Sequence, residues 1–430
     1  MRILLAHNSL YYPSYGGGDR SNRFLMEQLA ARGNQVRVIA RVEHFGPAAH
    51  EKLLGELQKR HVHVTRSEET GLHLDLNGVD IRVLTLSAHM RAFFAAHIRS
   101  FDPDVILTST DDPAHLLLDV ALRAKRARVV YLVRATIAAP FGPDSSMPSA
   151  AKTQTLRGVD GVVGVSDYVA NYARQWGGLE AVHVPISLLP PGEPPLLGCF
   201  ENRFVSMVNP CAGKGIAVFL ALAERCPEMH FAAVPTWGTT EADLAALNRL
   251  PNVSVLPPFD NFDDFLRQTR VMLVPSLWAE ARSRVIVEAM SRGIPVLASD
   301  VGGLAEAKLG VDYLLPVNPI RGFRSAVDEL MVPVVDVPAQ DVRPWEAALR
   351  RLSTDRAHYE SLSAESRRAA LEYSAQLNAG PFEAYLQQVM RAPKRAREVP
   401  GERAALDKHR LLALRIKERK KHVDSGSSRT

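Results

Sequence analysis

Glu280 and Glu288, eight residues apart, are the first side chains in this sequence whose type and spacing suit chemistry. Two carboxylates placed two helical turns apart can accept hydrogen bonds from hydroxyls on either side of a bound anion. Between them lie Ala281, Arg282, Ser283 and Arg284, and a lysine, Lys214, sits in a separate glycine-bearing loop. Ammonium and guanidinium groups meet phosphate well, so these residues suggest a phosphate ester as ligand. Gly16, Gly17 and Gly18 form a run that lets backbone approach a bulky or anionic group without Cβ clashes. Each signal has a plainer alternative when taken alone. The glutamates are more often a helix-start residue and a solvated one, Lys214 a solvated loop lysine, and the glycines a flexible turn.

The elements that must position these residues are legible around them. Val271–Val274 is a short apolar run stopped by Pro275 and reads as a buried strand. Val285, Ile286, Ala289 and Met290 share one helix face, Gly293 ends that helix, and Ile294–Ala298 is the next strand. This βαβ unit places Glu280 at the positive end of its helix, where the N–H groups of Ala281–Arg284 can receive a diphosphate. In open α/β sheets, ligands bind where strand ends feed helix starts. Lys214-Gly215 follows a strand beginning near Phe204 and precedes a helix over Ile216–Arg225. The glycine run follows a strand over Arg2–Ala6 and precedes a helix with Leu25, Met26 and Leu29 on one face.

Elsewhere the pattern predicts a helix over Pro47–Lys59 and a hairpin about Asn77-Gly78. A helix over Ala88–Ser100, a strand over Val105–Thr108 and a helix opened by Asp111-Asp112-Pro113 follow. Val129–Val133 is a strand with Arg134 at its end, and Ser166 caps a helix over Asp167–Trp176. Ser187–Asn202 carries four prolines and two glycines and reads as a linker. Beyond Val317 the expectation is mainly helical to Met390.

Composition narrows the class. With 430 residues there is length for two cores, and the hydrophobic fraction of 46% is that of a globular protein. No apolar run has the ~18 residues of a membrane span, and MRILLAHNSLYY reads as a first strand rather than a signal peptide. Cys199, Cys211 and Cys226 make an odd set without metal-ligand spacing, which predicts reduced thiols and a cytoplasmic protein. The net charge of +5 arises in the tail: Arg391–Thr430 carries 13 basic and 5 acidic residues, leaving the rest near −3. The body is therefore not expected to bind nucleic acid. The tail itself has Ala405, Leu412 and Ile416 on one helical face with Leu411 beside them. It suggests contact with a membrane surface, peripheral at the inner face, or with a biosynthetic partner.

The ordered set Pro275, Ser276, Glu280, Glu288, Ala289, Gly293, Pro295, Val296, Ser299, Gly302, Gly303 and Glu306 resembles the donor-binding core of retaining glycosyltransferase family 4. GGGDRSNRFLMEQLAARGNQVRVIA resembles that family's first βαβ, and Lys214-Gly215 its phosphate loop. The resemblance spans roughly residues 1–390. It implies an α/β protein of GT-B architecture, with two Rossmann-like parallel-sheet domains facing across a cleft. The expected divisions are 1–186 for the acceptor domain, 187–202 for a linker and 203–378 for the donor domain. A helix over 379–392 crosses back, and 393–430 is the basic tail.

The same resemblance implies a nucleotide-diphosphate hexose, UDP- or GDP-linked, transferred with retention to an unknown acceptor hydroxyl. No metal or cofactor is expected. Gly17 and Gly18 then border the donor phosphates. Lys214 and Arg284 hold the diphosphate with the 281–284 segment, including Arg282 and Ser283, Glu280 binds the sugar, and Glu288 binds ribose hydroxyls. Arg134 and Asp19 fall on the acceptor side. Two departures stand out: Asn209 occupies a position where many relatives have arginine, and Arg134 one where many have histidine. None of the 14 histidines takes that second place, so no general base is assigned. These departures keep open an alternative, a catalytically inactive scaffold that binds nucleotide or a partner. A nicotinamide enzyme is disfavoured by the missing G-x-G-x-x-G fingerprint.

Overall fold

The computed structural model describes residues 1–14, 16–186, 189–190, 192–259 and 261–395. The expected amphipathic tail over 401–430 lies outside the described residues.

The chain begins with β1 (Arg2–Ala6), α1 (Gly17–Ala31), β2 (Gln35–Arg41) and α2 (Pro47–Lys59). Next come β3 (Val64–Ser67), β4 (Gly71–Leu76), β5 (Val79–Leu84), α3 (Met90–Phe101), β6 (Val105–Ser109) and α4 (Leu116–Leu122). β7 (Arg128–Val133), α5 (Ala150–Leu156), β8 (Gly161–Gly164), α6 (Asp167–Gly177) and β9 (Ala181–His183) complete a nine-stranded sheet of order β3-β4-β5-β2-β1-β6-β7-β8-β9. From β5 to β9 the neighbours are parallel, while β3, β4 and β5 pair antiparallel. The β4–β5 hairpin turns on Asn77 and Gly78, both at positive φ, the backbone that Asn-Gly adopts most cheaply.

A second sheet follows from β10 (Phe204–Val208), α7 (Ile216–Arg225), β11 (His230–Val234), α8 (Glu241–Asn248), β12 (Val253–Val255) and α9 (Phe262–Leu266). β13 (Thr269–Val274), α10 (Arg284–Met290), β14 (Val296–Ser299), α11 (Leu304–Lys308) and β15 (Leu314–Leu315) finish it, in the order β12-β11-β10-β13-β14-β15. All its described pairings are parallel. Helices on both faces explain why β13 is apolar without alternation: Val271, Met272 and Leu273 are all buried.

Beyond Val317 the mainly helical expectation misses one short hairpin. β16 (Phe323–Val327) and β17 (Pro333–Val335) form an antiparallel hairpin before α12 (Arg343–Thr354), α13 (Arg356–Gln376) and α14 (Gly380–Arg391). β16 is largely exposed and β17 half-buried, so no fully buried face imposes a strong pattern on their sequence.

Each sheet has its own core. Trp345 of α12 and Tyr359 of α13 are buried in the second. Phe382, Leu386 and Val389 of α14 belong to the first, although they follow the second sheet in sequence. Full burial of Phe382 contributes roughly 1.5–3 kcal/mol to that docking. Polar contacts fix its position: Glu383 accepts from Arg32 Nε at 2.6 Å and from Asn34 Nδ2 at 2.7 Å.

Candidate active site

The C-terminal ends of β10 and β13 are neighbours, and the loops leaving them bring Lys214 to Glu280. Lys214 Nζ donates to Glu280 Oε1, which also accepts from Ser276 Oγ at 2.7 Å. Burial alone would raise the Glu280 pKa. The adjacent ammonium and the hydrogen bond from Ser276 outweigh it and hold the carboxyl below its usual range. The group is therefore an anion at neutral pH.

Close backbone approach makes this arrangement possible. Gly215 caps α7 at φ 85°, and a side chain there would collide with the Pro275 carbonyl. Leu277 N–H donates to the Gly213 carbonyl at 2.9 Å, binding the two loops together. On the other side, Gly303 N–H donates to the Glu280 carbonyl at 2.7 Å, and a Cβ on Gly303 would strike the Ala281 carbonyl. The Gly302-Gly303 pair thus cradles the segment carrying Glu280.

The helix begins later than the sequence suggests. Ser283 is its N-cap and Arg284 its first residue, so the N–H groups of Ala281 and Arg282 do not belong to the helix terminus. Arg282 corrects a second expectation. Its guanidinium stacks 4.3 Å from the Tyr373 ring and donates to the Glu306 carbonyl at 3.4 Å, so it faces packed structure. Arg284 reaches the cleft, where it donates to Ser21 Oγ of α1 at 3.1 Å and to Glu288 Oε1 at 2.9 Å. Glu288 is buried, so the two glutamates are not unengaged acceptors: each already holds one cation.

The facing wall comes from the first sheet. Gly17 begins α1 opposite Arg284, whose Cδ lies 3.4 Å from where a Gly17 Cβ would stand. Gly18 faces open space. Asp19, expected on the acceptor side, is instead committed to the loop: it accepts from Gly16 N–H at 3.1 Å and from Ser9 Oγ at 2.8 Å.

His7, just past β1, is the residue the sequence did not single out. Its Nε2 lies 3.3 Å from Asp19 and its Nδ1 3.2 Å from Asp111, which leaves β6. Burial would depress the imidazole pKa, but the two carboxylates raise it to about 9. His7 is therefore a buried cation holding two loops.

Arg134 follows β7 and donates its backbone N–H to Thr110 Oγ1 at 3.0 Å. Its Nε and Nη2 are buried without a hydrogen-bond partner among the described residues. Burial pushes its pKa down to about 10, against the pull of Asp111 and Asp19 and with the push of Arg284. Asn209 takes positive φ and accepts from Gly238 N–H at 3.0 Å, serving the loop rather than offering charge. Among the described residues, no group of His, Cys, Asp and Glu has the placement to hold a metal ion.

The site thus has glycine-rich backbone on one wall, cations on both, and on the second a buried Glu288 and a half-buried Glu280. The first wall lies within residues 16–192, which match the family model described as glycosyl transferase 4-like domain. The second lies within 204–332, which match that described as glycosyl transferases group 1. An uncharacterized 42.6 kDa protein in the cps region of Klebsiella pneumoniae is 25% identical over 330 residues, 71% of this chain and 87% of that protein. Among solved structures, sucrose-phosphate synthase from Thermosynechococcus elongatus has a TM-score of 0.62 at 16% identity, covering 90% of this chain and 97% of its own. Anabaena Alr3699/HepE, in complex with UDP and glucose, has 0.61 at 14% identity, covering 91% and 100%. These likenesses establish the GT-B fold.

Proposed function

We propose, from the premise that this chain is a GT-B glycosyltransferase, that it moves a hexose from a nucleotide-diphosphate sugar to an acceptor hydroxyl with retention and without a metal. The observation that carries this reading is the Lys214–Glu280 pair, held largely shielded from solvent at adjacent strand ends. Lys214 and Arg284 supply positive charge where the leaving diphosphate gains negative charge as the C1–O bond breaks. Glu280 fixes hydroxyls of the transferred sugar, and Glu288 those of the ribose. Arg284 and the N–H groups at the start of α10, beginning with Ser283-Arg284, hold the phosphates; Gly17 and Gly18 let them approach the opposite wall.

Arg134 supports an anion in the same cleft. A guanidinium with buried, unpaired donors is costly, and a phosphate or other anionic oxygen would offset that cost. It takes the place of the second cationic contact for which Arg282 is turned away. Glu280 is held between Lys214 and Ser276, so this reading gives it no nucleophilic role and involves no covalent glycosyl-enzyme.

UDP sugars are the first donors to test, because the Anabaena neighbour is described with UDP and glucose. Release of nucleoside diphosphate should be measured across UDP- and GDP-sugars, for the wild type and for Lys214→Ala. One donor should be turned over and the variant should lose that turnover. Tight nucleoside diphosphate binding with no turnover of any donor, with or without acceptor alcohols, would instead favour the inactive scaffold.

A further inference from the structure

Away from the cleft, α3 and α4 lie side by side and enclose an open groove of about 750 Å³. Its floor is apolar, with Ala92, Ala95 and Ile98 from α3, Val120 from α4 and Ala124 just beyond it. Its rim is basic: Arg91, Arg99, Arg123, Lys125 and Arg126 are all exposed. The two acids at the rim are already neutralised. Asp102 is bridged by Arg2 at 3.0 Å and Arg126 at 2.9 Å, and Asp119 by Arg91 at 3.7 Å. Arg99, Arg123 and Lys125 have no ion pair among the described residues. Leu116, 38% exposed, extends the apolar face of α4 one turn beyond Val120.

The chain also returns to this groove. Lys394 Nζ donates to the carbonyl of Ala124 at 3.0 Å and to that of Lys125. Lys394, next to the last described residue, thus lies at the 124–125 end of the groove.

We propose that this groove is a docking surface for an anionic phospholipid membrane, with the basic rim on headgroup phosphates and the apolar floor toward the acyl boundary. An apolar floor inside a basic rim complements an amphiphile with an anionic head, whereas an acidic polysaccharide needs no such floor. The chain's own basic tail is a poor occupant, because its charge matches that of the rim. The inference is independent of the donor reading, since no rim residue belongs to the cleft.

Full-length protein should co-sediment with phosphatidylglycerol/phosphatidylcholine vesicles and not with phosphatidylcholine alone. Arg99→Glu/Arg123→Glu/Lys125→Glu, with the tail intact, should lower the partition coefficient by at least about tenfold, as three surface charges at a charged bilayer imply. Thermal unfolding and nucleotide binding should be unchanged, and the corresponding Gln triple serves if reversal impairs folding. At about 0.5 M salt, where screening falls within about 5 Å, residual binding should depend on the floor and be lost in Val120→Asp. Equal sedimentation of wild type and triple variant would assign attachment to the tail alone and overturn the proposal. Equal binding to neutral vesicles, or retention on an acidic polysaccharide without vesicle binding, would overturn it as well.

Discussion

Lys214 and Glu280 depend on each other, so their variants must separate folding from catalysis. Lys214→Ala strands a largely shielded carboxylate and should destabilise the chain by about 2–4 kcal/mol while lowering turnover by roughly 10²–10³. Lys214→Met/Glu280→Gln removes both charges and should regain much of the melting temperature, but none of the turnover. Unfolding scans alongside donor turnover make the comparison; an active double variant would show that the pair is only structural. Glu288 calls for a different measurement, because Arg284 already bridges it to α1. Glu288→Ala should weaken nucleoside diphosphate binding about tenfold or more by calorimetry, from loss of a charged acceptor worth ~1.5–3 kcal/mol. Free pyrophosphate, which has no ribose, should bind as well as before. Equal loss for both ligands would move Glu288 from the ribose to the phosphates.

At the scale of elements, the glycine turn before α1 rests on a charge that titrates. The His7 pKa is about 9 in the folded chain, against 6.5 ordinarily, so its stabilisation is complete below pH 6.5 and fades as pH rises through about 9. Asp19 and Asp111 are held below the carboxylate range by the same contact, so their contribution is lost only in acid. Chemical denaturation should show wild type about 2–4 kcal/mol more stable than His7→Gln near pH 6.5, and the gap should narrow above pH 9. A gap independent of pH would mean His7 is neutral. This cluster was hidden in the sequence because its members leave β1, α1 and β6, and only the sheet order β2-β1-β6 brings them together. The Lys214 and Glu280 loops were legible, because each ends a buried strand with its own glycine or proline punctuation. Arg282 and Arg284 could not be told apart from spacing. Two residues along a chain entering a helix point to different sides, and only the packed Tyr373 shows which side is occupied.

At the scale of the whole molecule, the two sheets are joined across the cleft by few direct hydrogen bonds. Ser166 Oγ donates to the Ala281 carbonyl at 2.7 Å, and Thr136 Oγ1 to that of Ala279 at 3.3 Å. A further link is a charge-assisted one. Glu306 of α11 accepts from the backbone N–H groups of Asp167, at 2.9 Å, and of Tyr168, capping the positive end of α6 from the other sheet. Glu306 completes the Gly-Gly-Leu-x-Glu run, which also cradles the Glu280 segment through Gly303, so one short motif sets the Glu280 loop and the spacing of the walls. A charged acceptor on two helix-terminal donors is worth about 1.5–3 kcal/mol, enough to shift an open–closed balance by roughly ten- to a hundredfold. Glu306→Ala should therefore populate a more open molecule. Small-angle scattering should show a larger radius of gyration, and the donor KM should rise more than kcat falls, since the chemistry-bearing loop keeps its Gly303 bond. Glu306→Gln keeps the acceptor oxygen without the charge and should fall between the two. If scattering and KM are both unchanged in Glu306→Ala, the walls are held by α14 and the serine and threonine bonds, and α6 is capped by Ser166 alone.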